Sequence, residues 1–126
     1  MNREDYIYYQ FMKKVTEDEF ISLDESGLIL ILEDRLGLSD DRMDEIMGWI
    51  EEEKEPPVGK EKLDRLKNDT SNHDYELRIY ELILAEALRD VKIERDEKDL
   101  LMMLTKIMNV TEEERQDIYS RIKESK

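Results

Sequence analysis

Two acidic segments hold the residues best suited to chemistry. The first reads Asp18-Glu19-Phe20-Ile21-Ser22-Leu23-Asp24-Glu25 and the second Asp90-Val91-Lys92-Ile93-Glu94-Arg95-Asp96-Glu97; both fit Asp-x-x-Ile-x-x-Asp-Glu. Carboxylates in such a pattern have three uses. They can ligate a hard cation such as Ca²⁺, which takes about six to eight oxygens. They can face a basic surface on another protein, where complementary charge steers encounter. They can also cap the free N–H groups of a following helix and complement its dipole.

The two segments differ sharply in charge. From Thr16 to Ser26, Glu17, Asp18, Glu19, Asp24 and Glu25 stand without a basic residue, a formal charge of −5. From Leu88 to Lys98, Asp90, Glu94, Asp96 and Glu97 are balanced by Arg89, Lys92, Arg95 and Lys98. A divalent cation is therefore expected at the first segment if at either, with Asp18, Asp24 and Glu25 as its ligands. A protein partner would meet Glu17, Asp18, Glu19 and Asp24. Asp90, Asp96 and Glu97 are the second-segment equivalents. The Asp-x-Asp-x-Asp-Gly spacing of an EF-hand is absent, so a cation would need water or other segments to complete its shell. Structural capping by Asp24, Glu25, Asp96 and Glu97, with Asp18 and Asp90 fixing turns, is the competing role.

Other chemistries have little to build with. The chain lacks cysteine, which removes disulfides and thiolate sites and fits a reducing cytoplasm. His73 is the single histidine and is expected in a polar loop beside Asp74, too little for a catalytic triad or a multi-histidine zinc site. The glycines at 27, 37, 48 and 59 form no phosphate cradle. No enzyme and no resident cofactor are expected, apart from the candidate cation. With Asp+Glu 34 against Lys+Arg 20 the net charge is −14, which repels phosphate backbones and argues against nucleic acid. The unbroken apolar run Leu28–Leu32 is far below the ~20 residues of a membrane span, and the acidic N-terminus does not read as a secretory signal.

The elements that position these segments are helical. Tyr8, Phe11, Met12 and Val15 recur at i, i+3, i+4 and i+7, which predicts a helix over about residues 3–16. Tyr6 and Tyr9 beside that stripe offer an exposed aromatic patch, whereas Tyr8 belongs to the core. Ser22 and Glu25 have capping-box spacing and start a second helix, apolar all round its middle from Leu28 to Leu32 and so expected to be buried on several sides. Gly37 closes it. Ser39 opens a third helix striped by Met43, Ile46, Met47 and Ile50, ending before Pro56-Pro57 and trailing the solvated acids Glu51-Glu52-Glu53. A short helix over about 60–67 follows, then a fifth through Tyr75 to Ala87, a sixth centred on Leu100 to Leu104 and a seventh through Ile118, Tyr119 and Ile122. Met43, Met47, Met102, Met103 and Met108 are expected as adaptable core fillers.

A shift of 72 residues superimposes the halves. It pairs Asp18 with Asp90, Ile21 with Ile93, Asp24 with Asp96, Glu25 with Glu97, Leu28 with Leu100, Leu32 with Leu104, Ile46 with Ile118, Ile50 with Ile122 and Glu52 with Glu124, without a gap. Ser39 falls on Thr111, and Tyr8 on Tyr80. The expected architecture is all-α, about seven helices in a single domain over 1–126. Two related three-helix repeats, about 8–53 and 80–125, are joined by the short helix, and the central helix of each is buried.

With its paired Asp-x-x-Ile-x-x-Asp-Glu loops, each ahead of an apolar helix, the chain resembles the TerB-like, tellurite-resistance-type helical domains. Their hallmark is an Asp-Gly-x-Ile/Val-x-x-x-Glu loop in two related halves. Glu19 and Val91 stand where that family has glycine. The resemblance implies a stress-response or adaptor module whose acidic loops serve as a metal-binding or partner-binding surface. The leading expectation is a cytoplasmic, non-enzymatic module that binds a protein partner through the first acidic loop, without membrane insertion. A divalent-cation sensor or buffer is the alternative, and an acidic decoy for a basic groove is a third.

Overall fold

In the computed structural model the described residues are 1–17, 23–89 and 95–124, and the side chains of 23–25 and 95–97 lie outside that set. Within it the chain forms α1 (Arg3–Glu17), α2 (Leu23–Leu36), α3 (Asp40–Glu51), α4 (Lys60–Lys67), α5 (His73–Ala87), α6 (Arg95–Ile107) and α7 (Glu112–Glu124), with no strand among the described residues. The all-α, seven-helix expectation holds, because 3.6-residue periodicity and local stop signals agree along the chain. Helix α1 packs against α2, α3, α4 and α6, while α5 packs against α2, α6 and α7, and α2 also meets α6.

Local chemistry sets the ends. Asn2 and Asp5 cap α1 reciprocally: the Asp5 N–H donates to Asn2 Oδ1 at 2.8 Å and the Asn2 N–H to Asp5 Oδ2 at 3.0 Å. The Ser39 hydroxyl accepts from the Arg42 N–H at 3.2 Å and opens α3. Thr111 and Glu114 form a reciprocal box at α7, at 2.9 and 3.1 Å. Gly37, at φ 69°, closes α2 as expected. Asn109 does the same after α6 at φ 57°, and its side-chain amide donates to the Lys67 carbonyl at 3.0 Å, an arrangement its polar sequence context did not announce. Helix α3 stops at Glu51, before Pro56 forces it to: the Lys54 N–H bonds back to the Trp49 carbonyl at 2.8 Å across Glu53, which sits at φ 55°.

The core corrects several expectations. Tyr6 and Tyr9 are buried along with Tyr8, so α1 is covered nearly all round and is the most enclosed helix of the first half. Burial, with Glu33 and Asp44 near, pushes the Tyr8 phenol up to about 12. Conversely, α2 and α6 bury one face through Leu28, Leu32, Leu100 and Leu104, yet Leu30 is 66% exposed and Met102 61%. An apolar run does not force burial on every side, because a helix offers only its inner stripe to its neighbours. Met102 is therefore no core filler, although Met108 is fully enclosed.

Among the described residues, one ion pair has both partners buried. Arg3 and Glu76 are 4% and 3% exposed, with Arg3 Nη2 2.9 Å from Glu76 Oε1 and Nε 3.3 Å from Oε2. Nη1 donates to the Leu66 carbonyl at 2.6 Å and the Lys67 carbonyl at 3.3 Å, and Nη2 donates to the Ile107 carbonyl. Replacing Arg3 by Met is expected to cost about 3–5 kcal/mol in urea unfolding, since it strands the Glu76 carboxylate. The double variant with Glu76→Leu should recover part of that loss. Gly48→Ala is expected to raise stability by about 0.5–1 kcal/mol, because the added methyl meets nothing within 4 Å and removes glycine's entropy cost inside a helix.

Candidate functional site

Where α1 and α3 run side by side, their C-terminal halves leave a groove of about 620 Å³. Tyr9, Lys13, Thr16 and Glu17 line it from α1; Ile50 and Glu51 line it from α3, followed by Glu53, Lys54 and Glu55. Their spacing follows from the helices: residues 9, 13, 16 and 17 are one to two turns apart on one face of α1. The positive-φ turn at Glu53 ends α3 so that the next residues still border the groove.

A ladder of cations and rings fixes α3 on α1. Arg42 Nη2 lies 3.0 Å from Asp5 Oδ2 and Nη1 lies 2.9 Å from Glu45 Oε2. The guanidinium stands 5.3 Å over the Trp49 ring, Trp49 meets Tyr9 at 6.5 Å with the planes 59° apart, and Lys13 lies 5.9 Å over Tyr9. Burial raises the Asp5 carboxyl, but hydrogen bonds from Arg42 and from Asn2 outweigh it and hold the group below its ordinary value. The groove thus has an anchored wall and an apolar floor of Tyr9 and Ile50.

Its rim is acidic and uncompensated. Glu51, Glu53 and Glu55 form no ion pair among the described residues, and Lys54 pairs instead with Glu52 at 2.7 Å. Glu17 is only loosely approached by Lys14 at 4.0 Å. A second groove of about 730 Å³ runs among α2, α5 and α7 over Ile31, Leu82, Ala85 and Ile122. There the charges are paired: Arg121 with Glu81 at 3.0 Å, Arg89 with Glu86 at 3.1 Å and Arg35 with Asp34 at 3.9 Å.

Of the residues singled out in the sequence, Glu17 is exposed at the end of α1 and lines the acidic groove. Asp18, Glu19 and Asp90 lie outside the described residues, as does the Ser22 cap. Asp24 and Glu25 fall in the first turn of α2, and Asp96 and Glu97 in that of α6, with their side chains outside the described set. Among the described residues no three His, Asp or Glu side chains converge where a metal ion would sit. His73 is not in a loop. It begins α5, with Nε2 2.9 and 3.1 Å from the Glu114 oxygens, and so ties α5 to α7. The Thr111 backbone N–H first, then His73, hold the Glu114 carboxyl below its usual range. Glu51 and Glu53 were visible in the sequence only as part of a solvated helix end, and Glu55 not as a site residue at all; their place beside Glu17 depends on α3 lying along α1. Tyr9, Trp49 and Arg42 carried no signal that could have joined them.

No family model, no curated protein and no solved structure matches this chain. No helix among the described residues is long and apolar enough to cross a membrane.

The Asp5–Arg42 contact predicts an acid-side loss of stability. With its folded pKa held below the ordinary value of an aspartate, ionised Asp5 stabilises the fold at neutral pH, and that contribution disappears as pH falls through the folded value. Urea midpoints measured from pH 7 down to pH 3 should therefore fall less steeply below pH 4 for Asp5→Asn than for the parent chain; parallel curves would exclude the role.

Proposed function

We propose that this chain is a TerB-like, non-enzymatic interaction module built from two related halves, which engages a protein partner through the acidic first-repeat loop. Several features support the two halves. A shift of 72 residues carries α1, α2 and α3 onto α5, α6 and α7. The packing of α1 on α3 is then matched by α5 on α7, α1 on α2 by α5 on α6, and α1 on α6 by α5 on α2. Gly37 and Asn109, which the shift pairs, both adopt positive φ; Ser39 and Thr111 both cap; Leu30 and Met102 are both exposed. Seven helices, with the paired acidic motif ahead of α2 and α6, are what the TerB-like resemblance implies.

Partner binding rests on one observation above all. Glu17, which opens the −5 segment, borders a groove whose Glu51, Glu53 and Glu55 pair with no cation among the described residues, whereas the groove among α2, α5 and α7 pairs its arginines with carboxylates. An acid group that only capped a helix would not need that company. The combined Asp18→Asn, Glu19→Gln and Asp24→Asn variant is expected to lose most partner capture from a lysate of the native host while its far-ultraviolet circular dichroism stays unchanged. Undiminished capture would overturn the reading. Capture abolished in the parent chain by chelator alone would shift it to a divalent cation.

A further inference from the structure

We propose that the groove between α1 and α3 receives a cationic amphipathic peptide segment of the partner. Apolar side chains of that segment rest on Tyr9 and Ile50, and its Lys or Arg residues meet Glu51, Glu53 and Glu55. This rests on the partner-binding reading above and specifies the chemistry that is bound and where.

Charge complementarity selects the occupant. In the groove among α2, α5 and α7 each arginine has a carboxylate partner, as Arg121–Glu81, Arg89–Glu86 and Arg35–Asp34. In the groove between α1 and α3, Glu51, Glu53 and Glu55 pair with no cation among the described residues. Lys54, the cation nearest in sequence, turns to Glu52, and Lys13 stands over the Tyr9 ring rather than against a carboxylate. Three glutamates within five residues repel one another across a short, exposed segment, and an incoming ammonium or guanidinium relieves that repulsion. The floor decides between a peptide and a purely charged ligand: half-buried Ile50 lines the groove beside the buried Tyr9 ring, so apolar side chains gain contact there that a polyamine or oligolysine cannot use. The groove volume of about 620 Å³ fits a few side chains rather than a folded domain.

Trp49 is the single tryptophan and packs at a tilt against Tyr9, so its fluorescence reports on the groove without a label. The test titrates the full chain with a synthetic amphipathic lysine–leucine peptide and with an oligolysine of equal charge, at physiological ionic strength. The amphipathic peptide is expected to perturb Trp49 and to bind about tenfold more tightly than the oligolysine. Neutralising Glu51, Glu53 and Glu55 to Gln should weaken it about tenfold, while neutralising Glu113, Asp117 and Glu124 on α7 should leave the affinity within about twofold. Equal loss in both triple variants, or equal affinity for the two peptides, would overturn the proposal. Circular dichroism checks that each variant is folded. If loop substitution abolishes partner capture but the groove triple does not, the groove assignment fails while the partner-binding reading stands.

Discussion

The buried guanidinium of Arg3 is the interaction on which the arrangement of helices depends. All three of its nitrogens are engaged inside the protein: Nε and Nη2 donate to the Glu76 carboxylate, Nη1 to two carbonyls at the C-terminal end of α4, and Nη2 also to the Ile107 carbonyl at the end of α6. Taking two charges out of water costs several kcal/mol per ion, on the order of what their mutual attraction returns, so such a pair survives only when every donor is used. A lysine could not replace it, because a point charge lacks the planar fork that reaches a carboxylate and several carbonyls at once. The result joins the start of α1, the start of α5 and the ends of α4 and α6 at one place. Positive charge there also complements the negative ends of α4 and α6.

From that junction the rest of the first half follows. With the start of α1 held, its remaining length is covered by neighbours, and even its tyrosines are buried. Helix α3 is then fixed along it by the Asp5–Arg42 pair and the tilted contact of Trp49 with Tyr9. The acidic groove is a consequence of that fixation: two helices locked at one end by charge and rings leave a trough at the other, rimmed by whatever residues terminate them.

The two grooves illustrate how similar backbone positions acquire different chemistry. Tyr9, Lys13, Glu17 and Ile50 in one correspond, at a distance of 72 residues, to Glu81, Ala85, Arg89 and Ile122 in the other. The isoleucine is kept and the charges are rearranged. One groove answers its own acids with arginines and exposes Leu82; the other leaves three glutamates without an ion pair among the described residues. Function resides in such substitutions rather than in the helices that carry them.

The sequence by itself determined the helices, the caps at Ser39 and Thr111, the closure at Gly37 and the residue-by-residue likeness at a shift of 72. Those signals are local, since stripes at i, i+3, i+4 and i+7, the hydroxyls of Ser39 and Thr111, and the αL closure at Gly37 act within one or two turns. Only the tertiary structure decided that Tyr6 and Tyr9 are core, that Leu30 and Met102 face outward, that His73 bridges to Glu114, and that Arg3 meets Glu76 across 73 residues of chain. It likewise brought Glu17 beside Glu51, Glu53 and Glu55. Each of these depends on which faces of separate helices meet, and a one-dimensional pattern specifies a helix's apolar stripe without specifying the partner that covers it.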